Sequence, residues 1–265
     1  WPLPSMAPLA HTLALLAMTV ATAAITTVSL DVALDSFDDQ YRGCRDDMVN
    51  ALPALNLSEF QQNPLFAQGW AEATAEWQKK GSPGSPLSSP QAIALMAYTM
   101  DDLHEEFDAA VREAGRSPQE YRDNFHFKTL HFLLTDALAT LRGAQGPQCH
   151  CVLRGLDGSR FEAQPGDTVR FGQFASTSRC RDTSRVFGMD TAFQLQTCHG
   201  ADIREFSFDP GDKEVLIPPY ETFVVTEVAG EGDKAQIQLR STGTFSTYNC
   251  EWLRGDIMGT TWGGG

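Results

Sequence analysis

The sequence predicts an α+β fold, and three observations predict it. Residues 45–143 repeat apolar side chains at a spacing of three and four, whereas from about residue 148 the pattern turns to period two in Thr-, Val- and Phe-rich segments separated by Gly, Pro and Asp. A block of helices followed by a block of antiparallel-looking strands belongs to α+β architectures and not to a doubly wound sheet. The third observation is size: 265 residues, 42% apolar and 20% charged, supply one large domain with an ample core. That composition excludes a disordered chain, a collagen and a coiled coil.

The first element is read as an address label. From Met6 the chain runs through a short apolar stretch to Ala21-Thr22-Ala23, which has the small-x-small form of a signal-peptidase site. The stretch is too short for a membrane span, and no later one reaches about 18 residues. The expected division is a leader and signal peptide over 1–24, a single domain over 25–255 (25–147 mainly helical, 148–255 mainly strand) and a glycine-rich tail over 256–265. That tail lacks the apolar stretch of a lipid-anchor signal, so a secreted, extracellular protein with no membrane span is expected.

Within the helical half, Ile93, Met96, Ala97 and Met100 fall on one face of a helix, and Asp101 or Asp102 is a candidate cap for the next, whose inner face is Leu103, Phe107 and Val111. A third helix is clear from Phe127 to Leu138. The segment Gly81–Pro90 is a loop by composition. Strands are expected at 151–154, 168–171, 192–198, 205–208, 214–217, 222–228 and 235–240.

Acidic residues outnumber basic ones 34 to 20, for a net charge of -14. Such a field repels nucleic acid and anionic membrane and favours basic partners. The six cysteines, Cys44, Cys149, Cys151, Cys180, Cys198 and Cys250, read as a disulfide framework in a secreted chain. Six cysteines allow about 15 pairings, and sequence alone does not choose among them. Cys149-His150-Cys151 lacks a second Cys pair at zinc spacing, so no metal site is expected. Asn56-Leu57-Ser58 is a glycosylation sequon, expected to be exposed.

The chain has no G-x-S-x-G elbow, no H-E-x-x-H, no P-loop and no dinucleotide-binding glycine fingerprint. None of its six histidines makes a base–nucleophile pair in sequence. Three features of the strand half stand out instead: Arg154-Gly155 at a strand end, Ser176-Thr177-Ser178 after Phe174, and Asp212-Lys213-Glu214 leading into Val-Leu-Ile. Singly each is bland, a surface charge, a strand edge and a solvated turn.

Together, and in this order, they resemble the vertebrate arginine-specific mono-ADP-ribosyltransferases, with their Arg–Ser–Glu-x-Glu signature. The resemblance extends over about residues 34–252 and takes in Ser36–Cys44, Ala114–Tyr121, Leu130–Leu138, Phe171–Ser176, Glu214–Phe223 and Ser246–Cys250. It implies a helical N-terminal part packed on a core of two antiparallel sheets, with an NAD cleft between them and NAD as co-substrate without a metal. By that resemblance Arg154 grips NAD as a fork of donors and Gly155 meets the nicotinamide amide. Ser176 positions the catalytic Glu and the ribose, Phe187 packs on nicotinamide, and Arg204 joins the NAD contacts. Glu214 stabilises the oxocarbenium-like transition state, while Asp212, with Phe206 and Phe208, meets the acceptor arginine.

The family carries Glu where this chain has Asp212, one methylene shorter. A misplacement of about 1 Å can cost on the order of 100-fold in rate, so water is expected to compete with arginine. The alternatives to transfer are an NAD glycohydrolase of the same fold and an inactive extracellular binding protein. The resemblance also pairs Cys44 with Cys250 and Cys149 with Cys198, and leaves Cys151 and Cys180 as candidates for a third bridge. The implied partners are NAD and basic, arginine-bearing extracellular proteins.

Overall fold

Helices α1 (Arg45–Gln62), α2 (Pro64–Lys80), α3 (Ser89–Tyr98), α4 (Asp101–Ala114), α5 (Pro118–Asn124) and α6 (Lys128–Gln145) precede nearly all of the sheet, and α7 (Glu251–Gly259) follows it. They belong to a computed structural model that describes residues 25–81, 85–181, 189–208, 215–230, 232 and 234–259. The leader and signal segment over 1–24 lies outside the described residues. None of the helices described is long and apolar enough to cross a membrane.

Local chemistry accounts for the helix starts. Asn63 caps α2 by accepting from the Phe66 amide at 3.0 Å, with Pro64 in the first turn. Ser88 and Gln91 form a capping box on α3. The amides of Lys128 and Thr129 at the start of α6 donate to the buried carboxylate of Glu59 on α1, at 2.5 and 2.9 Å, so one helix supplies the anion that the next helix's N-terminus favours. The first turn of α4 departs from expectation. Asp101 and Asp102 lie inside it and Met100 is the cap residue, without a side-chain bond. Their charges act on the helix dipole instead.

Strands β2 (His150–Leu156), β4 (Thr168–Val169), β5 (Ala175–Arg179), β6 (Thr191–Thr197), β7 (Ala201–Asp202), β8 (Val215–Ile217), β9 (Glu221–Ala229) and β10 (Ala235–Thr244) form one ladder, ordered β4-β9-β10-β6-β2-β5-β8-β7. Its pairings are antiparallel except β6 with β10, which run parallel. A second, two-stranded sheet pairs β1 (Thr26–Ser29) with β3 (Ser159–Glu162), also in parallel. The expected strand at 205–208 is instead a 3-10 turn over Arg204–Phe206. Helix α7 runs on to Gly259, into the segment 256–265 expected as a glycine-rich tail.

Two cores result. One fills the helical half, with α3 buried along its whole length from Gln91 to Tyr98, and reaches Phe174, Leu216 and Phe206. The other lies on the sheet, around Val152, Ala175, Phe193, Phe223 and Ile237. Strand β5 sits where they meet, with Phe174 in the first core and Ala175 in the second.

Segment 36–44 ties the ends of the chain to this frame. Phe37 stacks on Tyr121 at 3.9 Å between centroids. Asp39 accepts from the amides of Cys250 and Glu251 at 3.0 and 2.9 Å, closing the start of α7. Asp38 pairs with Arg170 at 2.7 Å, both fully buried. Arg170 also donates to the carbonyls of Val32, Ala33 and Phe245. All six cysteines are bridged: Cys44–Cys250, Cys149–Cys198 and Cys151–Cys180. The sulfurs of the Cys149-His150-Cys151 run are thus taken up in disulfides.

Candidate active site

Arg154 lies near the end of β2, and β5 runs antiparallel beside it, pairing Leu153 with Ser178. The Arg154 guanidinium donates to the Ser176 carbonyl at 2.8 Å and lies 5.9 Å from the Phe171 ring. Two buried donors here, Arg154 Nε and the Ser176 hydroxyl, make no hydrogen bond among the described residues. Such groups cost free energy unless a partner arrives, which suits a polar ligand. On its far side β5 pairs with β8, setting Ser176 opposite Leu216 and Thr177 opposite Val215. Val215 directly follows Glu214 in sequence. Asp212 and Glu214 themselves, and Phe187, lie outside the described residues.

Beneath Ser176 is a carboxylate that the sequence did not single out. Asp108 of α4 is 3% exposed; it accepts from Gln173 Nε2 at 3.0 Å and lies 3.4 Å from the Tyr98 hydroxyl. His104 lies 3.4 Å from the same oxygen. Tyr98 donates to the Phe174 carbonyl at 3.0 Å, and Arg112 donates to Gln173. This network holds the run from Gln173 to Phe174, and therefore the height at which β5 presents Ser176.

Burial pushes the Asp108 carboxyl up to about 7, opposed in part by Arg154 and Arg112. The folded state therefore holds this proton more tightly than the unfolded chain, where aspartate titrates near 4. The group's contribution to stability is complete below about pH 4 and is lost as pH rises through about 7. Asp108→Asn is expected to flatten the fall in stability between those limits. Denaturation midpoints at about pH 5 and pH 8 measure it, and an undiminished difference between them contradicts the assignment.

The remaining predicted residues separate. Gly155 pairs with Ala192 in the β2–β6 ladder. Arg204 is held by Asp202, at 2.7 Å to Nη2, beside Arg179, which reaches the same carboxylate at 2.8 Å. Asp202 lies on β7, on the far side of β8 from Ser176, with Arg204 in the 3-10 turn that follows it and Arg179 reaching across from the end of β5. Phe206 corrects an expectation: it is 3% exposed and packs on Trp77, so it is a core side chain and not an acceptor contact. The 3-10 turn is the reason, because residues 206 and 208 do not share a face as they would in a strand. Phe208 is 46% exposed and lines a cavity of about 490 Å³ with Leu65, Met100, Asp101 and Asp102.

The sequon also differs from expectation. Leu57 and Ser58 are exposed, but Asn56 is half-buried in α1 with its side-chain oxygen sealed from solvent. His131, between Tyr41 and the Phe37 carbonyl, is held neutral by burial with a pKa of about 3. It is a core histidine and not a base.

Residues 30–247 match the family model described as ART: NAD:arginine ADP-ribosyltransferase. The chain belongs to the NAD:arginine ADP-ribosyltransferase family. It is 50% identical over 234 residues to an erythroblast NAD(P)(+)–arginine ADP-ribosyltransferase of Gallus gallus, covering 87% of this chain and 78% of the relative. It is 51% identical over 238 residues to a GPI-linked NAD(P)(+)–arginine ADP-ribosyltransferase 1 of Mus musculus, covering 85% and 73%. Its fold is similar to a crystal structure of a mutant eukaryotic mono-ADP-ribosyltransferase, ART2.2, in complex with NAD. The TM-score there is 0.73 at 36% identity, over 84% of this chain and 98% of that one. The mixed α+β architecture is thus that of the ADP-ribosyltransferases.

Proposed function

We infer that the protein transfers ADP-ribose from NAD to arginine side chains of proteins and releases nicotinamide. The observation that carries this reading is the contact of Arg154 with Ser176, on two strands that pair directly, in a chain whose β8 follows Glu214 and lies against the same β5. The relatives' arginine specificity supports the choice of acceptor.

In this reading Arg154 and Ser176 bind NAD, with Gly155, Phe187 and Arg204 as further contacts, and no metal is required. Breaking the nicotinamide–ribose bond leaves its electron pair on nicotinamide and develops positive charge on the ribose. Glu214 stabilises that charge, an electrostatic term worth several kcal/mol in a site shielded from water. The acceptor guanidinium then passes a proton to Asp212, and the nitrogen lone pair so freed bonds to the anomeric carbon. Asp212 also orients the acceptor, because free guanidinium is protonated at any ordinary pH and nucleophilic only after losing that proton. Phe208 is the exposed aromatic near the acceptor.

The arginine preference is tested by incubating the protein with labelled NAD and either polyarginine or polylysine. Label on polyarginine alone is expected, and equal labelling of both contradicts the reading. The short side chain of Asp212 favours a measurable share of hydrolysis. Asp212→Glu is expected to raise the ratio of transfer to hydrolysis several-fold, and an unchanged ratio contradicts that role. A place outside the cell, where disulfides persist, is supported by the three bridges. The charge of -14 supports basic proteins as acceptors.

A further inference from the structure

A cavity of about 290 Å³ lies between one face of α6, the start of α1, the turn between β6 and β7, and the start of β9. None of the residues assigned above to NAD or to the acceptor lines it. In a protein of net charge -14 its lining is strongly basic, bringing together Arg42, Arg45 and Arg142. Arg45 is neutralised by Asp136, at 2.6 and 3.0 Å. Among the described residues the Arg42 side chain bonds only to neutral groups, Gln40 Oε1 at 2.8 Å and Thr244 Oγ1 at 3.0 Å. Arg142 makes no hydrogen bond or ion pair among the described residues.

Neutral donors complete the lining. The side chains of His199 and Tyr220 line the same space and make no hydrogen bond among the described residues. Burial, and then the charges of Arg142 and Arg42, hold His199 down at about 4. Thr135 also lines the cavity; the residue is 4% exposed and its hydroxyl makes no hydrogen bond among the described residues. A sealed hydroxyl of that kind is stabilised by a ligand that bonds to it.

The donors are fixed in advance. Glu221, fully buried, accepts from the Cys198 and His199 amides at 2.7 and 3.1 Å and from Thr197 at 2.5 Å. The Cys149–Cys198 bridge anchors the same turn, and Cys44–Cys250 anchors the residue before Arg45. The two nearby carboxylates are engaged, Asp136 by Arg45 and Gln91 and Glu221 as described, so neither is a free acceptor in competition with an anion.

We propose that this cavity binds a phosphate or sulfate group, with Arg42 and Arg142 supplying the charge and Thr135, His199 and Tyr220 the neutral donors. Guanidinium forks match tetrahedral oxyanions in geometry and charge. The group is either a free ion or an ester on a small sugar.

The test is calorimetric titration of the folded protein, saturated with NAD to fill the NAD site, with inorganic phosphate and with inorganic sulfate. Chloride holds ionic strength constant. Saturable binding is expected in the wild type, weakened at least about tenfold in Arg142→Gln and in Arg42→Gln, the scale of one charge-assisted hydrogen bond. NAD turnover in Arg142→Gln is expected to be unchanged. Tighter binding of glucose 6-phosphate or glucosamine 6-sulfate identifies the sugar ester as the ligand, and equal binding identifies the free ion. The absence of binding, or affinities in both variants equal to the wild type, overturns the proposal.

Discussion

Glu214→Gln is expected to lower NAD turnover by about 100- to 1,000-fold while leaving the protein folded. The substitution keeps the shape of the side chain and removes the negative charge that the account places beside the developing oxocarbenium ion. Removing one preorganised electrostatic contact of this kind typically has an effect of that size. Because the contribution belongs to the transition state, the loss falls on kcat with little change in KM for NAD. Nicotinamide release, followed beside a thermal melt of the same preparation, measures it. Turnover equal to the wild type shows that another group carries the catalysis.

Breaking the buried pair of Asp38 and Arg170 is expected to have the largest effect on stability. Arg170→Leu leaves the Asp38 carboxylate without a counter-charge at a position with no exposure, and removes the donors of three carbonyls. The cost of such an uncompensated charge is about 3–5 kcal/mol. In a domain of this size each kcal/mol lowers Tm by about 2–4 °C, so a fall of roughly ten degrees is expected. The pair joins the segment before α1, the strand half and the segment before α7, which is why its loss is not local. A change below about 1 kcal/mol in denaturant unfolding contradicts the role.

Periodicity served where a helix has one apolar face or a strand alternates cleanly. Leu103, Phe107 and Val111 mark the inner face of α4, and β6 alternates buried and open positions along its length. It failed where local pattern and tertiary packing disagree. Phe206 and Phe208 alternate as a strand would, but the chain turns there and only Phe206 enters the core. Strand β5 has no apolar alternation of its own, since Ala-Ser-Thr-Ser-Arg is extended by its neighbours β2 and β8.

The site was legible in the same uneven way. Arg154 and Ser176 were recognisable through the order of a family signature, and the structure brings them into contact. Asp108 carried no such signal, because a single aspartate on a helix is normally solvated. Only the packing of Tyr98, Gln173 and α4 makes it a buried carboxylate. The basic cavity was invisible for a related reason, as Arg42, Arg142 and His199 come from three distant parts of the chain.

The most direct test of the account is a single-tube assay of the folded protein with NAD and agmatine, a small guanidine acceptor, following ADP-ribosylated agmatine and free ADP-ribose together. The account predicts the agmatine adduct, accompanied by a smaller yield of free ADP-ribose that reflects the shorter Asp212. Free ADP-ribose alone would contradict arginine transfer and leave a glycohydrolase, and neither product would leave a binding protein on the same fold.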